Sequence, residues 1–408
     1  MRLLYVTPRY GPDVYGGAER AVREIGQHLA GRGHEVHVLT TCARSYASWE
    51  NVTPPGDSDE EGIRVHRFTV DHTPPPAAWP AGTPVMTYWR RTRWALAGFP
   101  LEGAGEWLQR HSQGFDVTIP YTYQHHTTWD AVMLSRAPVL LHPAAHPEAA
   151  LNMDILDVVF RRATMLSLHT PEERDLIRKR FRLDPSRLQV SGMGVTPLST
   201  TDADIAGFRS SQGLGEDPYV VCVGRIDPGK GIPEVSHQFV RFKSRHPGPL
   251  RLVLVGEEVQ PIPAHPEIVK TGFVPESVRN AAIAGAELLL QPSLHESFSL
   301  VLAEGWLLGV PVLAQGRSAV LRGQVARSGG GLTYTDDAGF EAGLDRLLGD
   351  PALRRRMARS GRRYITESCA WPRFLDAYED LLGRVVERSP RRSRPPQHAA
   401  PLRAERSA

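Results

Sequence analysis

The sequence predicts an α/β protein built as two doubly wound, Rossmann-like domains facing a central cleft. Three observations predict it. Short apolar runs alternate with longer amphipathic stretches, the pattern of βα units around parallel sheets. That pattern occurs twice, over residues 1–195 and again over 218–370. Between the halves, 196–217 is a polar stretch of Ser, Thr, Asp and Gly with little that could form core. A chain of 408 residues is long enough for two or three domains.

In the first half the strand candidates are 3–7, 36–41, 117–120, 139–142 and 165–168, with 63–68 weaker. In the second they are 219–223, 250–255, 268–271, 288–291 and 312–314. A helix over 18–32 puts Ala21, Val22, Ile25 and Leu29 on one face and stops at Gly33. A helix over 171–181 follows Thr170, a good N-cap, with Pro171 in its first turn. A helix over 299–308 stops at Gly309, with Pro311 beyond. The linker has room for a short helix. A helix over about 371–388 is expected to pack back on the first domain, and 389–408 reads as a disordered basic tail rich in Pro, Arg and Ser.

Charge is unevenly placed. From Arg384 to Ala408 there are seven Arg and two Glu, so the net +3 of the chain leaves a slightly acidic body. Such a body lacks the concentrated basic face that nucleic-acid binding needs. Only four of the 48 basic residues are lysine: Lys179, Lys230, Lys243 and Lys270. Cys42, Cys222 and Cys369 are widely spaced and odd in number, which argues against zinc and against a disulfide framework. The chain opens on Leu3-Leu4-Tyr5-Val6 with no signal-peptide pattern, and has no apolar run long enough to span a membrane. A reducing, cytoplasmic setting is expected, with the inner membrane face as its one membrane option.

Two strand-to-helix loops carry the chemistry. In Val223-Gly224-Arg225-Ile226-Asp227-Pro228-Gly229-Lys230-Gly231 a buried strand ends among glycines and two cations. Glycines let backbone approach an anion, and Arg with Lys can neutralise a diphosphate. The spacing approaches a phosphate-binding P-loop, but Gly231 stands where Ser or Thr would hold magnesium. A surface turn with solvated charges fits the same residues. The second loop, Pro292-Ser293-Leu294-His295-Glu296-Ser297-Phe298-Ser299, opens a helix that is apolar nearly all round yet contains Glu304. A buried carboxylate needs partners, either an internal Arg or ligand hydroxyls. Glu296 precedes the helix and so faces its N-terminus, a natural phosphate site. Ser293-x-x-Glu296 also fits a local capping box.

The Glu296-x7-Glu304 pair in its Pro-Ser-x-x-Glu context, the glycines around Arg225 and Lys230, and the opening Gly16-Gly17-Ala18-Glu19 resemble glycosyltransferase family 4. The resemblance spans about residues 1–382 and implies retaining, nucleotide-sugar-dependent enzymes of the GT-B fold. It implies an acceptor-side first domain and a donor-binding second domain. By position, Arg225 and Lys230 would bind the donor diphosphate, Glu304 the ribose hydroxyls and Glu296 the sugar. Ser297, Phe298, Ser299 and Leu300 would face sugar and phosphate, Gly272, Phe273 and Val274 would line the base, and Gly17 would close over the phosphate. His146 would stand near the reacting carbon, with His142 as its competitor; a structural histidine fits either. His125 and His126 could line the acceptor side. The family's Glu-Gly-Phe-Gly reads Glu296-Ser297-Phe298-Ser299 here, and its Asn-Gly-Val-Asp turn reads Gly192-Met193-Gly194-Val195-Thr196.

The expected reaction is transfer of a hexose-type sugar to an acceptor hydroxyl, with retention by front-face attack and with charge stabilisation of the leaving diphosphate. The acceptor classes implied are polysaccharide, glycolipid and small metabolite. No cofactor or metal is expected: Asp57-Ser58-Asp59 and Asp202-Ala203-Asp204 are the only DxD candidates weighed, and both read as polar loops. A P-loop nucleotide hydrolase and a non-catalytic sugar-nucleotide-binding subunit are the alternatives. Trp89-Arg90-Arg91-Thr92-Arg93-Trp94 is a candidate for anionic lipid headgroups, against the plainer reading of an exposed helix face with buried Trp.

Overall fold

A computed structural model describes residues 1–73 and 98–389. The arginine–tryptophan stretch 89–94 and the tail beyond Ser389 lie outside the described residues. The first half runs β1 (Arg2–Val6), α1 (Gly17–Gly31), β2 (Glu35–Thr41), β3 (Gly56–Glu60), β4 (Ile63–Phe68), α2 (Ala104–His111), β5 (Val117–Pro120), α3 (His126–Leu134), β6 (Leu140–Leu141), α4 (Ile155–Arg162), β7 (Met165–Leu168), α5 (Pro171–Phe181) and β8 (Leu188–Val190). Its strands are ordered β3-β4-β2-β1-β5, and a second group, β6-β7-β8, continues the sheet through bridges from Thr118 to Val139 and from Tyr121 to His142.

The second half runs α6 (Asp202–Ser211), β9 (Tyr219–Val223), α7 (Ile232–Arg245), β10 (Arg251–Val255), β11 (Ile268–Gly272), α8 (Glu276–Ala284), β12 (Leu288–Gln291), α9 (Leu300–Leu307), β13 (Val312–Gln315), α10 (Ala319–Ser328), β14 (Gly331–Tyr334), α11 (Asp337–Gly349), α12 (Pro351–Ser368) and α13 (Trp371–Arg388). Its sheet has the order β11-β10-β9-β12-β13-β14 and is parallel throughout. Strand order reverses between β9 and β12, and ligands of doubly wound sheets bind outside the carboxyl ends of strands at such a reversal. The loops leaving β9 and β12 are the two that carry Arg225, Lys230 and Glu296.

Three strands have no counterpart among the apolar runs. β3 is the sequence Gly-Asp-Ser-Asp-Glu, an exposed edge strand antiparallel to β4. Edge pairing uses backbone groups only, so no apolar alternation marks it. Asp57 and Asp59 are therefore strand residues rather than loop residues, and Asp57 accepts a hydrogen bond from His66. Asp202 and Asp204 sit in the first turn of α6, where Thr201 and Asp204 form a capping box. β8 and β14 are short strands at sheet edges.

Two crossings join the halves and lie against each other. The Val195 amide donates to the Cys369 carbonyl at 2.9 Å. Trp371 packs over Gly194, where an added Cβ would lie 2.3 Å from the indole. From there α13 runs along the first domain. Trp371 stacks on His28, Arg32 pairs with Asp376 and Glu379, and Tyr378 bonds His142.

Candidate functional site

The loop after β9 is shaped by close backbone approach. Gly224 and Gly256, at the ends of β9 and β10, have φ of +141° and +145°, and a Cβ on Gly256 would lie 2.1 Å from the Gly224 carbonyl. Arg225 follows with 63% of its side chain exposed and its Nε 3.1 Å from Asp227. Asp227 caps a tight turn over Pro228–Lys230 by accepting from the Lys230 amide. Gly231 ends the turn at φ +70°, where a Cβ would lie 2.4 Å from the Pro292 carbonyl oxygen. A Ser or Thr is thus sterically excluded at position 231, and the loop is a capped turn rather than a magnesium-binding P-loop. The turn thus departs from the loop that the nucleotide-hydrolase alternative requires.

Lys230 reaches from that turn to the loop after β12, donating to Glu296 Oε1 at 2.9 Å. Glu296 is spent on Lys230; the capping box with Ser293 is not formed, because Ser293 Oγ donates instead to the His295 carbonyl. The helix α9 begins at Leu300, and Ser299 before it makes no side-chain cap, so its first-turn N–H groups remain available to an anion.

The two serines that replace family glycines are accommodated differently. Ser299 holds the left-handed conformation, φ +73°, and its hydroxyl accepts from Gln291 Nε2 at 2.7 Å in the core. Such a conformation costs a non-glycine residue roughly 1 kcal/mol or more, and the Gln291 bond offsets part of it. Ser297 faces the first domain: its hydroxyl is 3.2 Å from His169 Nδ1, and its carbonyl accepts from Thr170 Oγ1 at 3.1 Å. Phe298 is buried and Leu300 is partly buried. Gly17 opens α1 across the cleft, and a Cβ there would come within 3.9 Å of Leu300.

Glu304 lies on α9 with 2% of its side chain exposed. The helix is fixed by Trp306, whose indole N–H donates to the Gly330 carbonyl at 2.8 Å. Full burial of such a ring stabilises by about 2–3 kcal/mol. Of the two kinds of partner expected for Glu304, the internal arginines are present. Its Oε1 accepts from Arg20 Nη1 at 2.5 Å and Arg279 Nη2 at 3.0 Å, while its Oε2 is buried with no hydrogen-bond partner among the described residues. Burial raises its pKa and the two guanidinium groups oppose the rise.

The histidines separate into two roles. His142 is fully buried, stacks on Tyr121 and lies 2.7 Å from the Tyr378 hydroxyl through Nε2. Burial drives its pKa well down, and it belongs to the core. His146 is at the cleft, stacked face to face on His295 at 5.0 Å between ring centroids. Its pKa is lowered chiefly by burial, and the charges of Glu148, Glu296 and Lys230 act on it. His125 and His126 are buried; His125 bonds Thr122 and stacks on Tyr46. Phe273, 60% exposed, meets the exposed ring of Tyr15 across the cleft at 4.7 Å, and Val274 is partly buried beneath it.

Residues of both domains thus converge: Gly17, Arg20 and His146 from one, and Lys230, His295, Glu296 and Glu304 from the other. Sequence reasoning passed over Arg20, Arg279, His295 and Tyr15. Arg20 has Glu24 one turn on, which reads as an ordinary solvated helix pair. Among the described residues no cluster of three or more His, Cys, Asp or Glu could hold a metal ion, and no helix is long and apolar enough to cross a membrane.

Residues 16–194 match the family described as Glycosyl transferase 4-like domain, and residues 217–350 that described as Glycosyl transferases group 1. The chain is 26% identical over 444 aligned positions to glycogen synthase of Mycobacterium tuberculosis, covering 99% of this chain and 100% of the relative. It is 27% identical over 422 positions to the GDP-mannose-dependent alpha-mannosyltransferase of Mycolicibacterium smegmatis, covering 94% and 98%. In structure it resembles sucrose-phosphate synthase of Thermosynechococcus elongatus, with TM-score 0.73, 18% identity and coverage of 95% and 100%. It also resembles Anabaena HepE in complex with UDP-glucose, with TM-score 0.69, 16% identity and coverage of 94% and 100%. The converging cleft, the strand reversal beneath it and these two matched domains make the chain a member of the glycosyltransferases of the GT-B fold.

Proposed function

We propose that this enzyme transfers a hexose-type sugar from a nucleoside-diphosphate sugar to an acceptor hydroxyl with retention of anomeric configuration. The observation that carries the reading is Glu304: a carboxylate inside an apolar helix with one oxygen held by two arginines and the other buried without a partner. An ionised carboxylate can only accept hydrogen bonds, and the paired hydroxyls of a ribose are the donors that suit it. The diphosphate lies toward Lys230, Arg225, the backbone at Gly17 and the uncapped first turn of α9. On donor binding the Lys230 ammonium turns from Glu296 to the phosphates, and Glu296 accepts from a sugar hydroxyl.

The bond that breaks joins the anomeric carbon to the diphosphate oxygen. Lys230 and Arg225 stabilise the negative charge left on that oxygen, and no metal is required for it. The acceptor oxygen attacks the same face of the sugar, and its proton passes to the departing phosphate oxygen. Neutral His146 borders that face from the first domain and orients the sugar. UDP-glucose in the HepE complex and GDP-mannose in the name of the mannosyltransferase support a nucleotide-sugar donor. A polysaccharide, glycolipid or small metabolite supplies the acceptor hydroxyl.

Thermal denaturation with UDP-, GDP- and ADP-sugars tests the reading. A donor at a hundred times its Kd stabilises by about 2.7 kcal/mol, which raises Tm by a few degrees. One base class should do so in the wild type and fail to do so in Glu304→Gln. No stabilisation of the wild type by any of the three would overturn the proposal.

A further inference from the structure

Arg20 stands on α1 of the first domain, yet its guanidinium reaches into the second. Nη1 donates to Glu304 Oε1 at 2.5 Å, and Nε donates to Glu24 at 2.7 Å, one turn along α1. Arg279, on α8 of the second domain, donates to the same Glu304 oxygen at 3.0 Å. Arg20 is largely buried, with 15% of its side chain exposed. Glu304 therefore has one arginine from its own domain and one from across the cleft.

We infer that Arg20 is a positioning residue for the donor, acting from the opposite domain by holding one oxygen of the Glu304 carboxylate so that the other keeps a fixed direction. This rests on Glu304 being the carboxylate that takes the ribose hydroxyls. The geometry separates the two oxygens. Oε1 is consumed by the two guanidinium groups, and Oε2 is buried with nothing bonded to it. A carboxylate held this way cannot rotate away without breaking two charge-assisted bonds, so its unbonded oxygen keeps one direction. Glu24 holds Arg20 in turn, which reduces the side-chain freedom Arg20 would lose on pairing.

The charged groups around Glu304 are Arg20 and Glu24 from α1 and Arg279 and Glu276 from α8. The packed α12 presents Tyr364, whose ring meets Trp306 of α9. Arg20 opposes the upward pull of burial on the Glu304 carboxyl, so its loss further favours the protonated form, which would present a hydroxyl to the ribose. Arg20 also makes the donor site complete only when the two domains are closed on each other, because its loss leaves Arg279 alone on Glu304.

Steady-state kinetics of Arg20→Ala, Arg20→Lys, Glu304→Gln and the Arg20→Ala/Glu304→Gln double variant test this. For Arg20→Ala the donor KM should rise about tenfold, equivalent to ~1.4 kcal/mol, with kcat changed much less. The acid limb of its kcat/KM profile should move to higher pH, since the carboxyl has lost a cation that opposes protonation. Arg20→Lys should recover part of both, and the double variant should be no worse than Glu304→Gln. Unchanged donor KM in Arg20→Ala, tighter donor binding, or equal loss from Arg20→Ala in both backgrounds would overturn the inference. The control arm is Glu304→Gln: if that variant keeps normal donor KM, the donor-site reading itself fails, whereas loss there with none in Arg20→Ala defeats only the role of Arg20.

Discussion

Two carboxylates, one in each domain, are buried to nearly the same degree and are held in opposite ways. Glu173, on α5, is 1% exposed, and its two oxygens accept from the backbone amides of Ala145 and His169, both at 2.6 Å. No arginine pairs with it among the described residues. Glu304 is 2% exposed, has two arginines on one oxygen and none of its own backbone on the other. Glu173 ties the loop after β6 to the loop after β7 and is complete. Glu304 is constrained through one oxygen and incomplete at the other. Burial alone distinguishes nothing here; whether each oxygen is satisfied separates the carboxylate that holds the fold from the one proposed to take ligand hydroxyls.

The largest expected effect tests the Glu304 side. Lys230→Ala should lower kcat/KM roughly 10²–10³-fold, the usual consequence of removing one charge-stabilising group from such a site, and Glu304→Gln should lower it by raising the donor KM, each with little change in melting temperature. Glu173→Ala should do the reverse. It leaves two buried amides unpaired, at about 1–3 kcal/mol each, and should show in urea or thermal denaturation before it shows in transfer. A Glu173 variant that loses transfer while melting normally would break the contrast.

The pH dependence of stability sharpens it. Burial pushes the Glu173 carboxyl up to about 8 against the pull of its two amide donors. In the unfolded chain the same group ionises near pH 4.5. Between those values the folded state keeps a proton that the unfolded state has released, so this group's contribution to stability falls as pH rises from about 4.5 to 8. Glu173→Gln removes the titration, and its melting temperature should fall less than that of the wild type over that range. Parallel pH profiles for the two proteins would show that Glu173 does not titrate in this window.

The smallest effect concerns Ser299. Ser299→Gly loses the bond to Gln291 but relieves the left-handed backbone, whereas Ser299→Ala loses the bond and keeps the strain. The alanine variant should be the less stable of the two by about 1 kcal/mol. Equal stability would mean that the serine backbone is not strained.

Much of this protein is legible in its sequence. The eleven runs read as strands are strands, most of them because buried parallel strands are near-continuous in apolar residues; β11 is instead a part-exposed edge strand. Helix 171–181 was legible because Thr170 and Pro171 set its start. Glu304 stood out as a charge inside an apolar helix, and Lys230 as a scarce lysine among glycines. The edge strand β3 was not legible, because a solvent-facing strand needs no apolar pattern. The choice between His142 and His146 was open in the sequence, where both follow one strand within five residues. Tertiary packing puts the two rings in different surroundings, Tyr378 against His142 in the core and His295 beside His146 at the cleft.

The sequence by itself determined the two doubly wound units and the strand-end loops that bear Arg225, Lys230 and Glu296, because hydrophobic period and glycine placement are local properties. Only the tertiary structure decided which residues meet across the cleft. Arg20 and Glu304 are 284 positions apart, and no local pattern marks a helix arginine whose partner lies in another domain. Ser297 likewise meets His169 and Thr170 only because the domains close. Contacts between distant segments depend on how two finished sheets are set against each other, and that arrangement has no periodicity in the chain to announce it.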